Sequence, residues 1–169
     1  MYFKSIQEAI YKQIDDEHES VRFVQMTWMR KIAQRELSRQ NDTSRRTEST
    51  NYEFRVEYKG ASFSCRWLRI KFVKRGQKVL RLVDSITIPK DDRYKREQFK
   101  YAEEWELEII EQMEEALWQH RRVVKNLMKS HRHLLEASKY GNEKLTTIPL
   151  KSRVGEYTES IKKFKEKLK

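Results

Sequence analysis

Between Tyr52 and Pro89 the chain changes character at every second residue, and that period constrains the fold more than any other feature. Tyr52, Phe54, Val56 and Tyr58 alternate with Glu53, Arg55, Glu57 and Lys59, the pattern of a strand with one buried and one wet face. Lys59-Gly60 opens a turn. The next run, from Ala61 to Val73, is rich in aromatic and β-branched residues, which suit a pleated, half-buried surface. A second turn falls at Lys74-Arg75-Gly76-Gln77, where glycine takes positive φ without steric penalty. Beyond it Leu80, Leu82, Ile86 and Ile88 share one parity and Arg81 and Ser85 the other, until Pro89, which cannot donate to a ladder. Asp84 interrupts the apolar set, and nothing in the pattern explains it. These signals predict strands at 52–59, 61–73 and 78–88, joined as an antiparallel meander.

The middle strand poses a parity problem. Phe63, Cys65 and Trp67 point one way, whereas Leu68, Ile70 and Phe72 point the other. One face buries both sets only if the register shifts, so a β-bulge is expected near Trp67-Leu68; the alternative is a strand covered on both faces. With the bulge, Arg66, Arg69 and Lys71 lie together on the open face. From Gly60 to Val83 there are seven basic residues (Arg66, Arg69, Lys71, Lys74, Arg75, Lys78 and Arg81) and no acidic one. Such a hairpin reads either as a polyanion-binding element or as a solvated face kept soluble by its charges.

Long helices are expected on either side. Ile6, Ala9, Ile10, Ile14, Val21, Val24, Trp28 and Ile32 recur at helical spacing, predicting a helix over 5–37 with Ser5 and Glu8 as a capping box. A polar connection, Ser38 to Asn51, follows. Phe99, Ala102, Trp105, Ile109, Met113, Leu117, Val124 and Leu127 predict a second helix over 91–140, closed by Gly141. Its charge is divided, with Glu103, Glu104, Glu106, Glu108, Glu111, Glu114 and Glu115 in the first half and Arg121, Arg122, Lys125, Lys129 and Arg132 in the second. A helix dipole favours that polarity, but only within the terminal turns, so the basic half is expected to extend the positive surface of the hairpin. Residues 141–169, ending KKFKEKLK, read as a basic C-terminal extension, either a short amphipathic helix or a tail. The expected fold class is therefore α+β. Two long helices pack on a three-stranded antiparallel meander within a single domain over 1–140, followed by the basic tail.

The 169-residue chain has only 4 Gly and 2 Pro, in keeping with long regular elements, and a formal charge of +11 that points to a polyanionic partner. No apolar run reaches the roughly 18 residues of a membrane span. The N-terminus turns acidic too early for a secretory signal, so a cytoplasmic protein without a membrane partner is expected. The single cysteine, Cys65, reads as a buried thiol.

No GxGxxG, P-loop, HExxH or paired CxxC is present. His131-Arg132-His133 is the only His-x-His, and on a helix its imidazoles diverge by about 200° at ~3.6 residues per turn. The glutamates of the second helix lie along one element, whereas metal-dependent phosphodiester chemistry needs carboxylates converging from several. No catalytic residue, metal or cofactor is expected, and the protein reads as a binder rather than an enzyme. The candidate DNA-binding residues are Arg66, Arg69, Lys71, Lys74, Arg75, Lys78 and Arg81, with Arg121, Arg122 and Lys125 from the second helix. A two-stranded ribbon fits the major groove, which makes the tip at Lys74 to Lys78 a natural probe.

Trp67-x-Arg69-Ile70-x-Phe72-Val73, then Ile86-x-Ile88-Pro89-Lys90, then Tyr94, Phe99 and Trp105-Glu106-x-Glu108 resemble the MobI family of conjugative-transfer proteins, over roughly residues 63 to 125. These are encoded by integrative conjugative elements and large conjugative plasmids. The resemblance implies an auxiliary DNA-processing factor that binds double-stranded DNA at an origin of transfer. It would help to recruit or activate a separate relaxase without cutting DNA itself, and it brings no catalytic residues to carry over. The alternative is a protein-interaction module or inhibitor from a mobile element, with only non-specific DNA affinity. Two long amphipathic helices suit a homodimer as well as a monomer.

Overall fold

A computed structural model describes residues 2–169. Helix α1 (Tyr2–Gln40) leads through a 3-10 turn to strands β1 (Tyr52–Lys59), β2 (Ser62–Arg75) and β3 (Lys78–Ser85). A second 3-10 turn precedes helix α2 (Glu104–Ser138), and two short helices follow, α3 (Leu150–Val154) and α4 (Ile161–Leu168). The strands form one antiparallel sheet in the order β1-β2-β3, with α1 and α2 on one face. The fold is α+β, as the sequence predicts.

In α1 the buried seam runs through Gln7, Tyr11, Ile14, His18, Val21, Gln25, Trp28 and Ile32, alternating steps of four and three. This differs from the purely apolar stripe, because Ile6 is exposed and three polar residues take its place. Two of the three are hydrogen-bonded: Gln7 donates to the Thr146 carbonyl (2.8 Å) and Gln25 to that of Phe54 (3.4 Å). His18 lies among the rings of Tyr58, Phe63 and Tyr157. The helix already runs at Tyr2, so Ser5 sits inside it rather than capping it. The two long helices are antiparallel, since Gln7 meets His131, Glu17 meets His120 and Lys31 meets Gln112.

The expected bulge is absent. Pairing between β1 and β2 is unbroken from Tyr52↔Arg69 to Lys59↔Ser62. Phe63, Cys65 and Trp67 face the helices together with Tyr52, Phe54 and Val56, and the other set is covered only at its start, since Ile70 is half-buried and Phe72 exposed. Leu68 is buried on the opposite face, between Glu53 and Ser85. An uninterrupted strand also separates Arg66 from Arg69 and Lys71, which take the opposite face; the expected cluster of these three does not form.

Trp67, fully buried, is the centre of the core. It lies edge-on to Trp28 (6.0 Å between centroids) and Phe99 (5.9 Å) and beside Phe54 (5.1 Å). Its indole N–H donates to Glu114 (3.0 Å), and Glu114 holds Arg121 through two contacts of 2.8 Å. Arg121 also donates to the carbonyls of Cys65 (2.9 Å) and Asp92 (3.0 Å), while the Tyr94 N–H donates to Glu114 (3.1 Å). This hub explains why α2 begins at Glu104 instead of residue 91. Tyr94 and Phe99 are drawn into the core, and Asp92 adopts φ of 65°, so no continuous α-helix runs through this stretch, which holds only the 3-10 turn at Arg96–Gln98. Nor does β3 reach residue 88. Pro89 sets the expected strand end, and no Gly or Pro lies between Lys90 and Glu104 to mark the later helix start.

Residues 141–169 are integral to the fold rather than an extension of it. Leu150 is fully buried, and its N–H donates to the Gly60 carbonyl (2.9 Å). Arg153 pairs with Asp15 (2.9 Å) and covers the Tyr11 ring (3.9 Å). The Tyr157 hydroxyl donates to the Val56 carbonyl (3.2 Å), and Arg22 pairs with Glu159 (2.6 Å). Ser160 then caps α4, which lies along α1.

Leu150→Ala should lower unfolding stability by about 2–5 kcal/mol, the usual effect of truncating a fully buried leucine; chemical denaturation measures it. Arg121→Met, which leaves the Glu114 carboxylate buried without its partner, should lower stability by about 3–5 kcal/mol, and combining it with Glu114→Leu should recover much of the loss.

Candidate nucleic-acid interface

β2 is 14 residues long and β1 only eight, and β1 starts opposite Arg69. Beyond that point β2 and β3 continue alone as a two-stranded ribbon. Arg75 and Lys78 pair across its tip, and Gly76, with φ of 63°, is the first of the two loop residues, the position that a tight hairpin turn reserves for glycine. No helix covers the ribbon. Phe72 is 66% exposed and Val79 59%, with Leu82 and Val83 also exposed. Of the residues expected to face inward, Ile86 and Ile88 pack against the core, whereas Leu80 and Leu82 lie in the ribbon, where there is no core to face.

The register decides which candidates come together. Arg69, Lys71, Arg75 and Lys78 share one face of the ribbon, and Lys74 and Arg81 share the other with Phe72 and Val79. Residues 70–83 contain five cations and no acid. Among the described residues Lys74, Arg75 and Lys78 are exposed and engage no acidic side chain. Arg69 lies over the Tyr101 ring at 3.3 Å, a stack that fixes the guanidinium plane at the base of the ribbon. Tyr101 carried no sequence signal, because it falls where a helix was expected. Lys71 pairs with Asp84, which gives the interrupting acid its cross-strand partner.

The open face of the three-stranded region is not the basic surface expected. Arg81 pairs with Glu53 (2.6 Å), Glu53 with Arg55 (3.2 Å), Arg55 with Glu57 (3.6 Å) and Glu57 with Arg66 (2.8 Å). Three arginines and two glutamates thus form a nearly neutral ladder. Alternation placed Glu53 and Glu57 on this face, and the unbulged register brings them against the cations.

The α2 candidates lie elsewhere. Arg121 is buried in the Glu114 pair and presents no charge to a ligand. Arg122 and Lys125 are exposed and sit beside Asp92, at 3.6 Å and 3.2 Å. Along α2, Glu106 reaches Tyr52, Glu114 reaches Trp67 and Arg121 reaches Cys65, so the helix advances away from the ribbon tip. Its basic half does not extend the hairpin surface. The end nearer the ribbon is the acidic one, with Glu104, Glu108, Glu111 and Glu115 exposed.

Of the other candidate groups, Cys65 is buried, and desolvation pushes its thiol up to about 11. His131 is buried against Gln7, whereas His133 is exposed, so the His-x-His diverges as helical geometry requires. Among the described residues no three His, Cys, Asp or Glu side chains converge in a metal-binding arrangement, and no helix is long and apolar enough to cross a membrane.

Together, the helix-backed meander and its projecting ribbon define a small α+β protein with a two-stranded arm that carries cations and no acid over residues 70–83. Residues 18–135 match the family model described as MobI protein, a span from within α1 to near the end of α2. The chain belongs to the MobI family, which makes it a mobilisation-related protein. No curated protein and no solved structure matches it.

The ribbon base rests on Glu106. Its carboxylate accepts from the N–H groups of Asn51 (3.0 Å) and Tyr52 (3.2 Å), and the Asn51 side chain donates to the Tyr101 carbonyl (2.8 Å). Desolvation pushes this carboxyl from near 4.5 up to about 7, against the pull of the two N–H groups. The folded state therefore holds a proton that the unfolded chain releases. The resulting stability is complete below about pH 4.5 and declines as pH rises to about 7, by up to about 3 kcal/mol. Glu106→Gln should remove that decline, so denaturation midpoints at pH 5 and pH 8 should differ less in the variant than in the parent.

Proposed function

We propose that the protein is a non-catalytic DNA-binding factor of conjugative mobilisation that binds double-stranded DNA at an origin of transfer and helps to recruit or activate a relaxase. The observation that carries the reading is the free ribbon: two strands projecting past the sheet, tipped by Lys74, Arg75 and Lys78. A ribbon of this width enters a major groove, and cations at its tip gain affinity by releasing counterions from phosphates. Arg69, held flat on Tyr101, is placed to set the ribbon against the backbone at its base. Near the start of α2, Glu104 and Glu111 pair with Arg96 and Glu115 with Arg93; this mixed-charge surface, unlike the acid-free ribbon, suits a protein partner such as the relaxase. MobI membership supports the mobilisation role.

A second reading, a protein-interaction module with only non-specific DNA affinity, is favoured by the exposed apolar residues of the ribbon. Fluorescence anisotropy separates the two, using labelled duplexes from the DNA flanking the gene against scrambled controls. Origin binding predicts a preference of about 10³ or more for one native segment. Replacing Lys74 and Arg75 together by Ala should weaken binding to every duplex and reduce the slope of log K against log salt by about 2. Equal affinity for all sequences would move the interaction module ahead. An unchanged slope in the folded variant would remove the tip from the interface.

A further inference from the structure

The sheet has two edges, and they are treated differently. β1 is covered: the Tyr52 N–H donates to Glu106, the Phe54 carbonyl accepts from Gln25 and the Val56 carbonyl from Tyr157. β3 is bare. The bond from the Ile86 N–H to the Trp67 carbonyl fixes the ladder phase: Lys78, Leu80, Leu82 and Asp84 bond inward to β2, and the N–H and C=O groups of Val79, Arg81 and Val83 point outward. Among the described residues nothing bonds to these outward groups. An uncovered strand edge flanked by exposed apolar side chains is a template for pairing.

The sequence of β3 indicates what covers it. We propose that this edge pairs antiparallel with β3 of a second copy of the chain, making one continuous six-stranded sheet about a two-fold axis at Arg81. Only outward-facing residues can exchange hydrogen bonds, so the paired residue numbers must sum to an even value. A sum of 162 sets Val79 opposite Val83 and Leu80 opposite Leu82. It also sets Lys78 opposite Asp84 at both ends. Shifting by one allowed step either way puts Asp84 opposite Leu80 or leaves it without a partner. Arg81 meets its own copy at the axis, where like charges ordinarily repel; its pairing with Glu53 (2.6 Å) turns the guanidinium toward β1 and neutralises it. Asp84, the residue that broke the strand pattern, thus serves Lys71 within one chain and Lys78 of the second copy across the axis.

With Gly76 five residues from the axis in each copy, the two tips stand about 33 Å apart at ~3.3 Å per residue, close to one turn of B-DNA. That spacing bears on function only through the DNA-binding reading above, whereas the dimer itself is tested without DNA.

Sedimentation velocity of the full chain at micromolar concentration should show a species of twice the 20.7 kDa chain mass. Val83→Pro removes one outward N–H and none of the β2–β3 ladder bonds; it should give a monomer with an unchanged circular dichroism spectrum. Lys78→Asp and Asp84→Lys should each lower the association constant at least tenfold, and the double charge swap should restore it. Arg81→Cys should form an intermolecular disulfide on oxidation, because paired residues across the axis approach within disulfide range. A parent chain that remains monomeric, or a dimer indifferent to Val83→Pro and to the charge swap, would overturn the proposal.

Discussion

The pairing of Glu114 with Arg121 is the interaction on which most of the architecture converges. Two charges two helical turns apart on α2 are buried together, an arrangement tolerated only when every remaining donor and acceptor is used. Glu114 spends its oxygens on Arg121, the Trp67 indole and the Tyr94 backbone, and Arg121 spends its remaining donors on the carbonyls of Cys65 and Asp92. One ion pair therefore ties α2 to the middle strand and to the irregular segment that follows the sheet. The left-handed turn at Asp92 and the inward reach of Tyr94 follow from it. Because the segment is pinned here, α2 starts late, and the freed stretch carries Tyr101 to the base of the ribbon under Arg69.

The sheet and both long helices were legible because their signals are local. A period of two between Tyr52 and Tyr58 and the recurrence of Ile14, Val21, Trp28 and Ile32 at helical spacing need no tertiary knowledge. What was not legible depended on partners far away in sequence. Arg121 reads as one more surface cation in a basic run, and only the fold shows its carboxylate. Glu53 and Glu57 were visible on the open face, but their effect on Arg55, Arg66 and Arg81 depends on a register that the assumed bulge would have changed. The C-terminal segment looked like a basic tail because its anchors, the buried Leu150 and the half-buried Tyr157, are sparse among lysines. The tip cations Lys74, Arg75 and Lys78 were correctly placed at a turn, since Gly76 marks it. Their freedom from acidic partners follows from the ribbon outrunning β1.

The charge of the molecule is accordingly better organised than its total suggests. The formal +11 is the excess of 37 Lys and Arg over 26 Asp and Glu, and the acid-free tip charges sit on an arm that no core supports. That arm exposes Phe72, Val79, Leu82 and Val83, apolar side chains a solvated charged hairpin would not need. Electrostatics alone explains the tip and leaves the flanks unexplained. The flanks are explained if the arm is also an edge, because cross-strand packing of Val79 with Val83 and Leu80 with Leu82 uses both of its faces at once. Side chains from α1, from α2 and from the C-terminal segment seal the β1 edge, while the opposite edge is left bare along the same strand whose loop carries the cations. A contact made through β3 would set the distance between two cationic tips. The surplus of apolar surface and the surplus of charge on the ribbon are then two halves of one device.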